Sequence, residues 1–157
     1  MVSAATRSAV WELLGEYVHC IDNDLLEAWI DCFTDDCVYT IVPRENLDAG
    51  LPASLLLCEG KQMLRDRVAY LRKAAVFNIH RDRHILGYVH IAEDGVDTLR
   101  ATTNFVVYQS NQEGVSVLFC VGYYLDRITN SGGALRFKEK TVVLESSSIQ
   151  TLLSTPL

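Results

Sequence analysis

The chain of 157 residues is 49% hydrophobic and 22% charged, a balance that is typical of a globular domain and argues against disorder. Its formal net charge of −6 argues against a nucleic-acid partner, which would require a basic face. No apolar run approaches the roughly 20 residues of a membrane span, and the first residues lack the apolar core of a signal peptide. We therefore expect a single cytoplasmic domain over residues 1–157, without membrane contact.

Three helices and one strand are predicted for the first half of the chain. Apolar side chains three and four residues apart indicate amphipathic helices over residues 8–21 and 59–75. Between them, Asp24 is placed to cap a second, shorter helix. A strand is predicted over residues 37–42, and residues 44–58, which include glycine and proline, are predicted to be irregular.

The second half of the chain has the pattern of an antiparallel meander. Turn-forming Asp, Asn and Gly residues separate four predicted strands, over residues 85–91, 97–109, 115–128 and 135–144. Such a sheet must cover one face, and the N-terminal helices are the only elements available. The chain is therefore predicted to be an α+β protein with three N-terminal helices packed on a strongly curved antiparallel sheet. This plan resembles the cystatin-like, nuclear-transport-factor-2-like (NTF2-like) cone, which hosts many functions.

A polar segment lies between the third helix and the second half of the chain. His80 and His84 are four residues apart with Asp82 between them, and on a helix they could share a metal ion. However, the segment leaves the helix, and Arg81 and Arg83 would repel a cation, so no metal site is expected. We expect Arg83 and His84 to turn inward and to bind backbone carbonyls and carboxylates.

A second set of polar residues suggests proton transfer. In a cone fold, Asp22, Asp36, Tyr39 and His84 could face one cavity and act on a small organic substrate. The alternative is structural, since both aspartates lie in predicted turns and Tyr39 is a strand aromatic. The sequence leaves both interpretations open.

Other sequence features are assigned structural or interface roles. The five cysteines are scattered through apolar patterns, so we expect reduced core residues and no metal cluster. Arg44, Glu45 and Asn46 follow the first strand and suit either a subunit contact or a solvated loop. The apolar residues within 146–153 exceed what a lone domain needs, and a neighbouring chain is one surface on which they could pack.

Several short motifs recur in an order that resembles a known family. They are Trp29…Phe33-x-x-Asp36-x-x-Tyr39, Pro43-x-Glu45-Asn46, Met63-Leu64-x-Asp66-Arg67, Arg81-x-Arg83-His84 followed by two apolar residues, and Gly122-x-Tyr124-x-Asp126. The ordered set is similar to the small (β) subunit of Rieske non-haem iron aromatic-ring-hydroxylating dioxygenases, and it covers essentially the whole chain. The motif Arg81-x-Arg83-His84 carries this resemblance most strongly.

The resemblance implies a non-catalytic subunit of an oxidoreductase. The Rieske [2Fe-2S] cluster, the mononuclear Fe(II) and the substrate site would lie on a large α subunit, with NAD(P)H supplying electrons through a reductase. Three α and three β subunits would assemble, and this chain would hold no catalytic, cofactor or metal-binding residue. Its candidate structural or interface residues are Arg44, Glu45, Asn46, Arg81, Arg83 and His84. The sequence agrees, because the Cys-x-His and Cys-x-x-His pairs of a Rieske site are missing from it.

The resemblance also implies a class of substrate, and it leaves two rival functions. Systems that attack aromatic carboxylates are the most similar in motif, namely those for terephthalate, salicylate, anthranilate and benzoate, with terephthalate slightly ahead. The first rival is a free-standing NTF2-like isomerase or dehydratase that uses Asp22, Tyr39 and His84 in an open, polar-lined cavity. The second is a cone protein that carries a small molecule in an emptier apolar pocket.

Overall fold

The computed structural model describes residues 1–75, 77–149 and 153–157. These residues form four α-helices, a 3-10 turn and six strands. In chain order the elements are α1 (Ala4–Asp22), α2 (Leu26–Trp29), the 3-10 turn (Ile30–Cys32), β1 (Phe33–Pro43), α3 (Arg44–Asp48), β2 (Leu56–Glu59), α4 (Lys61–Lys73), β3 (His80–Glu93), β4 (Thr98–Asn111), β5 (Ser116–Ser131) and β6 (Ala134–Leu144). Among the helices of this described part, none is long and apolar enough to cross a membrane.

The six strands form one curved sheet in the order β2-β1-β6-β5-β4-β3. Strands β3 to β6 make the antiparallel meander that the turn residues predict. The exception is the pairing of β1 with β6, which is parallel, with Thr40 opposite Thr141. Helices α1 and α4 contact this mostly antiparallel sheet, and Trp29 of α2 packs on Phe33 and Tyr39 of β1. The predicted α+β cone is therefore confirmed.

Helix α1 begins four residues earlier than the periodicity predicts. Ser3 is its N-cap, and the Ser3 hydroxyl accepts the main-chain N–H of Thr6 at 3.1 Å, which satisfies one of the free donors at the helix start. Val10, Leu14 and Tyr17 form the buried stripe of the helix and pack in the core.

Residues 44–58 were predicted to be irregular, and this prediction is wrong for the two ends of the segment. Helix α3 opens the segment, and β2 closes it by pairing with β1, where Tyr39 lies opposite Cys58. Helix α4 then begins at Lys61 rather than at residue 59, because Gly60 turns the chain at φ 83°. That conformation suits glycine.

Further boundaries differ from the prediction, and strand β1 begins at Phe33 rather than at residue 37. Strand β3 begins at His80 rather than at residue 85, because its first residues pair with the end of β4, where His80 lies opposite Asn111. The predicted cap of α2 is wrong: the N-cap is Leu25, without a side-chain hydrogen bond. The Asp24 carboxylate instead accepts two hydrogen bonds of 2.8 Å from Arg72 of α4.

The core between helices and sheet is a cluster of fully buried aromatic rings. Trp29 packs edge-to-face on Phe33 and Tyr39, with ring centroids 5.1 and 5.4 Å apart, an arrangement that aromatic quadrupoles favour. Tyr17, Tyr124 and Phe137 extend the same cluster. All five cysteines are free thiols, four buried and one half-buried.

Candidate functional site

Asp22 and His84 form a buried pair where the end of α1 meets β3. The Nδ1 atom of His84 lies 2.6 Å from Oδ1 of Asp22, and the main-chain N–H of His84 donates to Oδ2 at 3.0 Å. Side-chain exposure is 0% for His84 and 4% for Asp22. A carboxylate offers only acceptors, so Nδ1 carries the hydrogen. His84 therefore turns inward, as predicted.

Arg83 does not turn inward, so that part of the prediction is wrong. Its side chain is 69% exposed, and its guanidinium only approaches Asp22 at 4.0 Å. Successive side chains of a strand point to opposite faces, so Arg83 and Arg81 share the outer face with other exposed residues of β3. Neither Arg81 nor Arg83 therefore shares the inner face of the strand with His84.

The strand geometry also argues against the metal hypothesis. Four residues of a strand separate His80 from His84 by roughly 13 Å, which is too far for two ligands of one ion. His80 instead places Nδ1 2.6 Å from the carbonyl of Asn78. Asp82 accepts from Gln109 at 3.2 Å and from Thr155 at 2.9 Å. Among the residues that the structure describes, no three His, Cys, Asp or Glu side chains lie close enough to hold a metal ion.

Two members of the proton-transfer set stand apart from the Asp22–His84 pair. Asp36 is 69% exposed and pairs with Lys138 at 3.2 Å. The Tyr39 hydroxyl is buried and bonds to the Tyr17 hydroxyl at 3.3 Å and to the main chain of Leu157. The structure therefore brings together two of the four residues.

The interior of the cone is filled where the isomerase hypothesis required an open chamber. Among the described residues, fully buried aromatic rings and Leu157 belong to the core cluster that lies there. A cleft of about 250 Å³ lies outside this core, between the end of α1, the end of α4 and the start of β3. Asp22 and Asp82 line this cleft, together with Arg72, His80 and Thr155. The part that Leu157 and Thr155 play was missed because nothing near them in the sequence indicates it.

The Arg44-Glu45-Asn46 segment forms the start of α3 on the surface. Arg44 contacts both carboxylate oxygens of Glu145 at 3.1 Å, and its guanidinium lies 5.9 Å from the ring centre of Tyr123. The Asn46 amide donates to the carbonyl of Ala53 at 2.9 Å, while Glu45 is exposed. An interface role for these three residues remains a prediction.

Part of the segment 146–153 packs within the chain itself. Ile149 and Leu153 are partly buried against the core, and packing of this segment on a neighbouring chain remains a prediction. Residues 150–152 lie outside the described residues.

The outer face of the sheet carries a group of five neighbouring apolar side chains, of which four are exposed and Val106 is half-buried. In register across β3, β4 and β5, Ile85 lies opposite Val106, and Val106 lies opposite Val121. In the next row, Tyr108 lies opposite Leu118. Ile85 is 54% exposed and Leu118 49% exposed. We call these five residues the outer-face patch. The exposed residue Arg83 of β3 lies opposite Tyr108 of β4 and borders the patch.

Comparison with known proteins gives one consistent family. A family model described as the ring hydroxylating beta subunit matches residues 17–151. The chain is 38% identical to the anthranilate 1,2-dioxygenase small subunit of Burkholderia cepacia, over 94% of this chain and 92% of that protein. It is 37% identical to the beta 2 subunit of the terephthalate 1,2-dioxygenase terminal oxygenase component of Comamonas sp, over 90% of this chain and 92% of the relative.

Solved structures agree with the sequence relatives. A crystal structure of a β subunit from Novosphingobium aromaticivorans, described as that of an aromatic-ring-hydroxylating dioxygenase, superposes with a TM-score of 0.88. It is 39% identical, over 98% of this chain and 97% of that one. The β subunit of benzoate 1,2-dioxygenase from Burkholderia mallei, at 22% identity and a TM-score of 0.73 over 92% and 91% of the two chains, shares the fold. This chain therefore belongs to the family of aromatic-ring-hydroxylating dioxygenase β subunits.

Proposed function

We propose that this chain is the structural, assembly-promoting subunit of the terminal oxygenase component of a Rieske dioxygenase. Its role is to hold a large α subunit in a functional oligomer rather than to touch the substrate. Membership of the dioxygenase β-subunit family supports the proposal that this chain is part of an oxygenase complex. The filled cone interior supports a non-catalytic role, because aromatic rings and Leu157 take the space that a substrate would need.

The redox groups in this proposal belong to the α subunit. A Rieske cluster needs two Cys and two His ligands, and a mononuclear iron site needs two His and a carboxylate. Neither donor set fits the described part of this chain, where no such group of side chains converges. Three α subunits would assemble with three β subunits in the cytoplasm, and NAD(P)H would supply electrons through a reductase.

The outer-face patch is the observation that carries the assembly role. Its five side chains are apolar or aromatic and lie side by side on β3, β4 and β5. A contiguous exposed apolar surface typically marks an interface with another protein. Arg83 beside the patch supplies the polar rim that such interfaces have. We assign the patch to the α subunit.

The substrate of the complex is proposed to be an aromatic carboxylate. The relatives at 38% and 37% identity are named for anthranilate and terephthalate, and both molecules are benzene rings that carry a carboxylate. The slight preference for terephthalate has no support in these figures, so we propose the class and not the compound. The choice between compounds lies with the α subunit.

Co-expression with the α subunit from the same source tests the assembly role. We expect a coloured complex with Rieske-type absorption and roughly equal amounts of both chains, whose mass can be determined by native mass spectrometry. The substitution Val121→Glu places a charge in the outer-face patch and should reduce the co-purified α subunit at least tenfold. The matched control is Val96→Glu, at a residue that is 90% exposed in the turn between β3 and β4.

Two outcomes would contradict the proposal. Recovery of this chain as a colourless homo-oligomer, from cells that also make the α subunit, would remove the assembly role. Equal recovery of the α subunit with Val121→Glu and Val96→Glu would show that the outer-face patch is not the interface, even if the complex itself forms.

A further inference from the structure

The cleft between the end of α1, the end of α4 and the start of β3 is separate from the outer-face patch. Its wall is partly apolar and is formed by Leu26, Leu71, Phe77 and Ile79. Its polar part includes three ionisable side chains that are no more than 4% exposed, those of Asp22, His80 and Asp82. Buried ionisable groups beside apolar surface in a concave place are the usual composition of a small-molecule site.

Two carboxylates at this cleft are buried without a hydrogen bond from any described lysine or arginine. Asp22 accepts from the ring and from the main-chain N–H of His84, at 2.6 and 3.0 Å. Asp82 accepts from the Gln109 amide at 3.2 Å and from the Thr155 hydroxyl at 2.9 Å. Burial of a carboxylate is costly unless a cation lies beside it. Because each carboxylate oxygen has two lone pairs, both groups can still receive a cationic donor.

His80 adds an acceptor that has no hydrogen-bond partner among the described residues. Its side chain is 3% exposed and lines the cleft. Its Nδ1 atom lies 2.6 Å from the carbonyl oxygen of Asn78 and therefore carries the hydrogen, since a carbonyl only accepts. Nε2 of the neutral ring is then an acceptor, and it lies 3.8 Å from Oδ2 of Asp82. Two acceptors at this separation are close enough for one ammonium nitrogen to reach both at about 2.8 Å.

The arginines around the cleft are engaged elsewhere or exposed. Arg72 donates to the carboxylates of Asp24 and Glu27, at 2.8 and 2.9 Å. Arg81 and Arg83 lie on the outer face of β3, where both are exposed. The described surface of the cleft therefore combines buried acceptors with apolar walls. That combination is complementary to a cation that carries N–H donors, and not to an anion.

We propose that this cleft binds a small organic cation, namely a primary ammonium compound with a compact aromatic or branched apolar group. The ammonium donates to Nε2 of His80 and to Oδ2 of Asp82, and the apolar group packs against Phe77 and Leu71. The cleft, of about 250 Å³, has room for a molecule with a single ring. The bound charge offsets part of the cost of burying the carboxylates. The site belongs to this chain alone and does not depend on the α subunit.

Three probes of similar shape and different charge test the proposal on the unsubstituted chain. They are benzylammonium, benzyl alcohol and benzoate, titrated into the purified chain by isothermal calorimetry at neutral pH. We expect one benzylammonium per chain, with a Kd at least tenfold lower than that of either other probe, because two buried carboxylates attract a cation and repel an anion. Lack of benzylammonium binding, or equally tight binding of benzyl alcohol or benzoate, would overturn the proposal. This comparison needs no variant.

Asp82→Asn tests whether the cation binds at the buried carboxylate. The substitution keeps the shape of the side chain and removes its charge, so the Kd for benzylammonium should rise at least tenfold. Asp36→Asn is the matched control, because it removes the same charge from an exposed side chain that lies outside the cleft. The Kd of this control should change less than twofold. Equal Kd values for the two variants would overturn the proposal.

His80→Asn tests the second acceptor. The asparagine amide can still donate to the Asn78 carbonyl from about the position of Nδ1, whereas the acceptor at Nε2 is lost. The Kd for benzylammonium should rise at least threefold, while the weak binding of benzyl alcohol should change less. An unchanged Kd for benzylammonium in this variant would overturn the placement of the ammonium between His80 and Asp82.

Discussion

Lys140 and Asp126 lie directly opposite each other on β6 and β5 and form an ion pair without any exposed side-chain surface. The Nζ atom of Lys140 is 3.0 and 3.1 Å from the two carboxylate oxygens. It also lies 3.7 Å from the ring centre of Tyr124 and 4.2 Å from that of Phe137. The cation thus has a carboxylate on one side and aromatic faces on others, which compensates part of its lost hydration.

Removal of one partner of this pair should destabilise the chain strongly. Lys140→Met leaves the Asp126 carboxylate buried without its partner, and a change of this kind costs about 3–5 kcal/mol. Urea unfolding of the purified chain measures the free energy of unfolding. The double variant Lys140→Met/Asp126→Leu should recover most of the loss, because an apolar pair of similar volume leaves no unpaired charge. Equal losses in the single and double variants would contradict this account.

The same pair predicts a dependence of stability on pH. Burial raises the pKa of Asp126 to about 6 although Lys140 lies beside it, because the cost of desolvation exceeds the attraction. The folded chain therefore holds this proton more tightly than the unfolded chain, whose aspartates titrate near their ordinary pKa of about 4. The stabilisation from this proton is complete below pH ~4 and is lost as the pH rises through about 6.

We therefore expect the contribution of Asp126 to the free energy of unfolding to fall between about pH 4 and about pH 6. Subtraction of the profile of Lys140→Met/Asp126→Leu isolates that contribution. If this difference in the free energy of unfolding instead rises with pH in this window, the attraction of Lys140 outweighs the effect of burial. The pKa of Asp126 would then be lowered rather than raised.

His84 and Arg83 are neighbours in sequence, yet their substitutions should differ. His84→Ala leaves buried Asp22 without the imidazole at 2.6 Å, and an unpaired buried polar group typically costs about 1–3 kcal/mol. Arg83→Ala alters an exposed side chain and should change stability by no more than about 0.5 kcal/mol. Thermal unfolding of both variants measures this contrast. A loss in Arg83→Ala as large as that in His84→Ala would show that Arg83 holds the fold together.

The sequence predicts those parts of the fold that depend on local patterns. Apolar spacing identifies α1 and α4, and the Gly- and Asn-containing turns delimit the hairpins of the meander. The start of β3 was missed because its first residues, from His80 onward, are mostly polar. These residues nevertheless pair with β4 through their main chain, because every second side chain of the strand faces water and can be polar. That alternation, applied to residues 80–85, would also have assigned Arg83 to the outer face.

The candidate site depends on contacts that local patterns do not carry. Asp22 and His84 are 62 positions apart, and Tyr39 and Leu157 are 118 positions apart. Lys140 lies in the charged run Lys138-Glu139-Lys140, which has the composition of a solvated strand. Only the register of β5 and β6 places it opposite Asp126 inside the cone. Partners of this kind follow from the three-dimensional fold and not from spacing along the chain.

Gly122 marks the closest approach of β5 to its neighbours and should not tolerate a side chain. A Cβ atom at this position would overlap the main-chain oxygen of Val143 and lie 3.1 Å from Cε1 of Phe105. Backbone cannot move aside as a flexible side chain can, so β5 and β6 would have to separate. Gly122→Ala should therefore lower the free energy of unfolding by about 1–3 kcal/mol, which is the usual cost of overpacking a core.

Gly15→Ala provides the matched control, because the substitution is the same and the surroundings differ. Gly15 lies within α1, and a Cβ atom there would meet no other atom within 4 Å. Alanine in the middle of a helix is more stable than glycine by about 0.5–1 kcal/mol. Chemical unfolding should therefore show opposite signs for the two variants. A stable Gly122→Ala chain would mean that β5 and β6 can separate at this point, and the close approach would then not explain the glycine of the Gly122-x-Tyr124-x-Asp126 motif.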